Sequence, residues 1–249
     1  MTRPILLVIS LLLFASAAVA EPVTLTAADG VKVYGEYWPA SAAHAPLILA
    51  FHQAGSSHVE YAPLAPRMNQ AGFSVLAIDQ RSGGGLFGGN NQTVAALGHS
   101  SDYDAALKDT EAALAWGHAK AKGAPVLVWG SSYSSALVFL LAAKHPADVQ
   151  GLLAFSPGEY LDGPNAVHAA AAQLHVPVFI DQASSKDEID ASRSILASVA
   201  SSDKTQFVSV KRSVHGSATL RTDRNAAGAE ENWTAVLAFL AKFKAAAAK

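Results

Sequence analysis

Serine supplies the first chemical signal in this chain. The stretch Val126-Leu127-Val128-Trp129-Gly130-Ser131-Ser132-Tyr133-Ser134-Ser135 passes from a short apolar run through a small-residue turn into the apolar segment 136–141. Read as strand, tight turn and helix, it is the context in which a G-x-S-x-G pattern acquires chemical meaning. A turn that sharp brings strand and helix almost into contact, so the positions flanking its central serine need minimal side chains. The result is a hydroxyl standing at the top of a sheet, at a helix N-terminus that favours negative charge. Here the pattern is Gly130-Ser131-Ser132-Tyr133-Ser134, with a serine where the last glycine usually sits. Ser132, at its centre, is the candidate nucleophile. On this segment alone a serine-rich helix cap reads equally well, and capping and packing are the roles left to Ser131 and Ser134.

A serine nucleophile needs a base to take its proton, a group to orient that base, and donors for the developing oxyanion. His215 follows the run Gln206-Phe207-Val208-Ser209-Val210 and precedes Gly216, a small neighbour that leaves room for an imidazole. His118, His145, His168 and His175 fall on helical stretches or their ends, and no histidine is spaced with carboxylates in a metal-ligand pattern. Neither a metal nor another cofactor is therefore expected. Carboxylates gather at Asp181, Asp187, Glu188 and Asp190, and Glu159 lies farther upstream.

The elements that must position these groups can be read in order. Val23-Thr24-Leu25-Thr26 and residues 31–37 alternate in polarity about Asp29-Gly30, which predicts an edge hairpin. From Leu47 onward the strands (47–51, 73–78, 126–129, 149–155, 176–180 and 206–210) are mostly uniformly apolar and alternate with helical stretches, the mark of a parallel sheet covered on both faces. Ser101-Asp102-Tyr103-Asp104 has the form of a capping box before a helix carrying Leu107, Thr110, Leu114 and Gly117. A last helix starts near Glu230. Residues 156–175 leave room for one helix, about 165–174, and for no larger insert. The glycine-rich segment 83–91 is the candidate for a mobile rim; it has no following Lys-Ser or Lys-Thr and does not enter a helix directly, which argues against phosphate binding.

This ordered series resembles the α/β-hydrolase superfamily, and within it the small dienelactone-hydrolase-like and esterase-like members. The resemblance covers nearly all of residues 21–249. It implies an α/β fold with a mostly parallel eight-stranded sheet, helices on both faces and a minimal cap. It also implies a triad in the order Ser132, acid, His215. The family places the acid in the loop after strand 176–180, where Asp187-Glu188-Ile189 looks like the ending of that loop in relatives. Asp187 leads on this ground, with Glu188, Asp181 and Glu159 as alternatives. Main-chain donors to the oxyanion would be Tyr133, directly after the nucleophile, and Ala54, aligned through His52-Gln53-Ala54 with Gln53 as the alternative. His52 would brace that loop, and Asp79 and Arg81 would form a buried ion pair in the next turn. The activity implied is hydrolysis of carboxylic esters or related small acyl compounds through an acyl-enzyme. Peptide or C–C bond cleavage, or ligand binding without catalysis, are the other uses of such a fold.

Composition bounds the rest. Arg3, the apolar stretch 5–14 and Ala18-Val19-Ala20 have the layout of a secretory signal peptide, residues 1–20, cleaved after Ala20. Its apolar stretch falls short of the roughly 20 residues that span a bilayer. Residues 21–249 then form one domain, with a periplasmic or secreted location. A formal net charge of −2 and the lack of any basic amphipathic segment give no reason to expect nucleic acid or a membrane surface as partner. The chain has no cysteine, so neither disulfides nor thiolate chemistry enter. The alanine-rich end, 245–249, reads as a frayed helix terminus.

Overall fold

The computed structural model describes residues 19–244. The expected signal segment, apart from Val19 and Ala20, and the tail 245–249 lie outside the described residues. Eight strands form one sheet: β1 (Glu21–Thr26), β2 (Lys32–Trp38), β3 (Leu47–Phe51), β4 (Ser74–Ile78), β5 (Val126–Ser131), β6 (Gly151–Phe155), β7 (Val178–Asp181) and β8 (Lys204–Gln206). Their spatial order is β1-β2-β4-β3-β5-β6-β7-β8. The first two pairings, β1 with β2 and β2 with β4, are antiparallel, and every later one is parallel.

The polarity pattern explains this division. β1 and β2 alternate buried with exposed or half-buried residues, whereas every residue of β3, β4, β5 and β6 is buried. A strand covered on both faces has no solvent side to keep polar. The helices that cover it are α1 (Ala65–Gln70), α2 (Gln92–Leu97), α3 (Leu107–Ala121), α4 (Tyr133–Lys144), α5 (Ala166–Ala171), α6 (Lys186–Ser198) and α7 (Ala229–Lys244). Leu114 of α3, Leu137 of α4, Val167 of α5 and Ile195 of α6 share one core with Leu49, Val128 and Ile180. Met68 of α1 and Val236 and Leu240 of α7 share the other with Ile48, Trp129 and Phe155.

Three local expectations are corrected. The helix expected after Ser101 begins at Leu107, with no side-chain cap, because Asp104 instead accepts the Asp162 amide at 3.1 Å. β8 comes earlier than its apolar run: Phe207 still donates its amide to Ile180, but the Glu231 carboxylate then accepts the amides of Val210 and Lys211 and draws the chain off the sheet. Asp79 and Arg81 do not pair with each other. Asp79 accepts from His58 and the Gln92 amide, while Arg81 bridges Asp29 and Asp109.

Between β6 and β7 the only helix is α5, so this connection carries nothing larger than one short helix. Among the described residues no helix is long and apolar enough to cross a membrane.

Candidate active site

The residues in question come from loops at the C-terminal ends of the parallel strands, the edge where open α/β sheets present their ligand sites. Ser132 follows β5 and holds φ 57° and ψ −123°, a backbone conformation that costs on the order of 1–3 kcal/mol in a non-glycine residue. Its surroundings enforce that geometry. The Ser132 amide donates to Phe155 at the end of β6, and Ser135 donates its amide back to the Ser132 carbonyl. A Cβ at Gly130 would lie 2.2 Å from the Ser134 carbonyl oxygen, so the strand can approach α4 only with glycine there. Ser134, which replaces the usual second glycine, is buried. Its hydroxyl donates to the His52 carbonyl at 2.6 Å and accepts from the Gln80 side chain at 3.0 Å. The departure from the pattern thus ties the elbow to the end of β3.

His215 Nε2 lies 2.8 Å from Ser132 Oγ, and His215 Nδ1 lies 2.9 Å from Glu188 Oε1. With Glu188 ionised, Nδ1 carries the proton it donates and Nε2 is left to accept from the serine hydroxyl. The histidine loop is bolted from behind. Ser156 accepts the Gly216 amide, Ser131 accepts the Ser217 amide, and Trp129 Nε1 donates to the Ser217 hydroxyl. Gly216 has φ +69°, and a Cβ on it would meet Ser131 Oγ at 2.5 Å. Ser131 is therefore a support for the histidine loop.

The acid beside His215 is Glu188, not Asp187. Ser185 caps α6 and accepts the Glu188 amide, which makes Ser185-Lys186-Asp187-Glu188 the first turn of a helix. Side chains on a helix lean toward its N-terminus, and consecutive residues are about 100° apart around it. Only one of the two acids can face the imidazole; Asp187 is exposed to solvent. Glu188 also accepts the Ala183 amide at 3.0 Å. Burial raises its proton affinity, but hydrogen bonds from His215, Ser156 and the Ala183 amide outweigh that and hold it below the usual carboxylate range. The expectation that put Asp187 ahead of Glu188 does not use the Ser185-Lys186-Asp187-Glu188 capping pattern, which is the signal in the sequence that could have found the acid.

The other acids serve elsewhere. Glu159 accepts the Val167 and His168 amides at the start of α5 and pairs with the His168 ring at 2.6 Å. Asp181 is fully buried at the end of β7, and burial pushes its carboxyl well above the usual range. Asp190 pairs on the surface with Lys186 and Arg193.

On the opposite side, His52 is fully buried, and burial lowers its pKa to about 4, so the ring is neutral. Its Nδ1 donates to the Gln53 carbonyl at 2.8 Å, and its Nε2 accepts the Gln80 amide at 3.0 Å. The Ser56 amide also donates to the Gln53 carbonyl. Because N–H and C=O of a trans peptide point in opposite directions, this aims the Ala54 amide away from His52. The Tyr133 amide is in the first turn of α4, where no intrahelical acceptor exists. Gln53 is excluded as a main-chain donor, since its amide is already given to Glu60 Oε2 at 2.8 Å.

The surrounding surface is aromatic. Tyr103 stacks on Tyr133 with ring centroids 4.3 Å apart. Tyr160, exposed at the surface, donates its hydroxyl to the Ser156 carbonyl and adjoins Ser132 and Glu188. The glycine-rich segment is tethered on both sides. Its Gly84 and Leu86 amides donate to Ser56 and Gly55, and Phe87 lies under the guanidinium of Arg221 at 4.6 Å. Among the described residues no group of three or more histidine and carboxylate side chains is placed to hold a metal.

Residues 42–174 match the hydrolase family described as serine aminopeptidase, S33. The chain belongs to this family. It is an α/β-hydrolase of the serine hydrolase class. Among solved structures, an esterase of Pyrococcus furiosus is 19% identical, with a TM-score of 0.68 over 91% of this chain and 93% of that one. A dienelactone hydrolase from Anabaena variabilis is 19% identical, with a TM-score of 0.67 over 92% of this chain and 97% of that one. A cold-adapted esterase from an Arctic intertidal metagenomic library is 22% identical, with a TM-score of 0.61 over 77% and 84%. At these identities the likeness is one of fold. No curated protein matches the sequence.

Proposed function

We propose that the protein hydrolyses carboxylic esters of small acyl groups through a Ser132–His215–Glu188 triad and an acyl-enzyme. The observation that carries this reading is the unbroken pair of hydrogen bonds from Ser132 through His215 to Glu188. In the first half-reaction Ser132 Oγ attacks the ester carbonyl and its proton passes to His215 Nε2. The Ala54 and Tyr133 amides receive the oxyanion, and the alcohol leaves with the proton from Nε2. In the second half-reaction His215 takes a proton from water, the hydroxide attacks the acyl-enzyme, and collapse returns the proton to Ser132 as the acid departs. Glu188 stays ionised throughout, orienting the ring and stabilising its cationic form.

An aminopeptidase, the activity in the family's description, must also bind a free ammonium group beside the scissile bond. The carboxylate that meets the Ser132–His215 pair, Glu188, is engaged by His215 and is not free to bind such a group. That supports the ester reading over the peptide one. Residues 1–20 we read as an export signal, which places the enzyme in the periplasm or outside the cell; N-terminal sequencing of exported protein should begin at Glu21.

The test is labelling by a fluorophosphonate probe together with turnover of p-nitrophenyl acetate. Ser132→Ala should abolish labelling and lower kcat by on the order of 10⁶. Retained activity in that variant, with loss in Ser131→Ala or Ser134→Ala instead, would move the nucleophile. No labelling of the wild type would leave only a ligand-binding fold.

A further inference from the structure

The carboxyl group of Glu60 is buried against the loop that carries one proposed oxyanion donor, and no step of the reaction uses it. It ends the short 3-10 turn His58–Glu60 and is fully buried. Oε2 accepts the Gln53 amide at 2.8 Å, whereas Oε1 makes no hydrogen bond. Its neighbours are the hydroxyls of Ser131 and Ser56, the Arg221 guanidinium and the Tyr61 phenol. A buried carboxyl with an idle oxygen is costly to keep. Packing alone would be better served by an apolar side chain.

The hydrogen bonds around it show what the group holds. The peptide plane between His52 and Gln53 is pinned at its N–H by Glu60. The next plane, between Gln53 and Ala54, is pinned at its carbonyl by His52 Nδ1 and the Ser56 amide. Gln53 thus sits between two held planes and its dihedral angles cannot drift, which leaves the Ala54 amide with one direction. Glu60 also adjoins Ser131, the residue before the nucleophile, whose Oγ accepts the Ser217 amide of the histidine loop.

We infer that Glu60 is a positioning residue for the oxyanion site: by holding the Gln53 amide it aims the Ala54 amide at the substrate carbonyl oxygen. The inference rests on the triad reading proposed above. An acceptor oxygen is what the role requires, and a charge is not, so glutamine can replace glutamate and alanine cannot.

The experiment compares Glu60→Ala and Glu60→Gln with the wild type and with Ser132→Ala. Readouts are kcat and KM for p-nitrophenyl butyrate and the inhibition constant of an aryl trifluoromethyl ketone, whose serine adduct carries an oxyanion. Loss of an oxyanion donor lowers kcat by about 10²–10³, so a misaimed one in Glu60→Ala should lower it by about tenfold to a hundredfold, with KM changed by less than about threefold. The inhibitor should weaken by the same factor as kcat, because both report oxyanion stabilisation. Glu60→Gln should stay within about threefold of the wild type on both readouts. If the alanine variant does not fold, Glu60→Leu, which fills the space without an acceptor, carries the same expectation. Near-normal kcat in the alanine or leucine variant overturns the positioning role. So does a glutamine variant as impaired as alanine, or a loss of kcat with unchanged inhibitor affinity. Probe labelling of the wild type that disappears in Ser132→Ala shows that the triad reading has survived such a result; no labelling of the wild type means that the reading itself has failed.

Discussion

Two neighbouring acids, Asp187 and Glu188, differ by a rotation about a helix axis, and that rotation decides which one meets His215. Glu188→Gln keeps the shape but lets the amide present either oxygen or nitrogen to Nδ1, and it removes the charge that stabilises the imidazolium. Its kcat should fall by up to about 10⁴, whereas Asp187→Asn should stay within about threefold. A collapse in Asp187→Asn with a mild Glu188→Gln would reverse the assignment. Glu60 makes a second residue-level prediction, about stability. Burial pushes its carboxyl up from 4.5 to about 7, against the opposing pull of Ser131, the Gln53 amide, Ser56 and Arg221. Between those values the folded protein holds a proton that the unfolded chain has released, so stability falls as pH rises from 4.5 to about 7 and levels off above. Glu60→Gln has no such proton. Its stability relative to the wild type should therefore grow across that interval, by as much as about 3 kcal/mol, in denaturant titrations at several pH values. A difference that stays constant with pH would mean that Glu60 is not held protonated by its burial.

At the level of elements, the site depends on close approach between loops from different strands. The loop after β8 reaches Ser132 only because Gly216 adopts φ +69° with Ser131 Oγ and Gln53 Oε1 against the place a Cβ would occupy, at 2.5 and 2.9 Å. Gly216→Ala must shift that loop or distort the elbow. It should destabilise the protein by about 1–3 kcal/mol, and displacing the imidazole by even 1 Å can cost about 10² in kcat. The measurement is kcat alongside Tm, and a variant normal in both would show that the histidine loop tolerates far more room than its hydrogen bonds imply. The same logic explains α6. Its Ser185 cap sets where the helix starts, and the start sets which side chain occupies the third position.

For the molecule as a whole, the short span between β6 and β7 sets what can stand over the site. Only α5 and its flanking turns occupy it, with Tyr160 near Ser132, while Tyr103 of the connection after β4 stacks on Tyr133. An acyl chain longer than a few carbons finds no helical lid to bury it, so little apolar surface is removed from water per added methylene. Burial of a methylene is worth about 0.8 kcal/mol where it occurs. For p-nitrophenyl esters from acetate to palmitate, kcat/KM should peak at short chains and fall beyond. A steady rise toward long chains, or activation at an emulsion surface, would contradict this.

Much of this protein was legible one residue at a time. The apolar strands predict a parallel sheet because a strand buried on both faces has no reason to alternate. The order of Gly130, Ser132 and His215 along those strands predicts which ends carry the chemistry. That topology puts Ser132 and His215 at the same edge of the sheet, and Gly216 with the hydrogen bonds of the histidine loop brings them into contact. What local pattern could not decide were the contacts made between segments distant in the chain. β8 stops at Gln206 because Glu231 of α7 captures the following amides. Arg81 turns to Asp29 and Asp109, and Asp79 to His58, because packing brings those partners nearer than each other. The Gln53 amide is spent on Glu60, a residue that nothing in the sequence marks. Propensity and polarity are properties of a segment and survive in the sequence. The direction of a hydrogen bond depends on which partner the fold delivers, and only the tertiary structure supplies that.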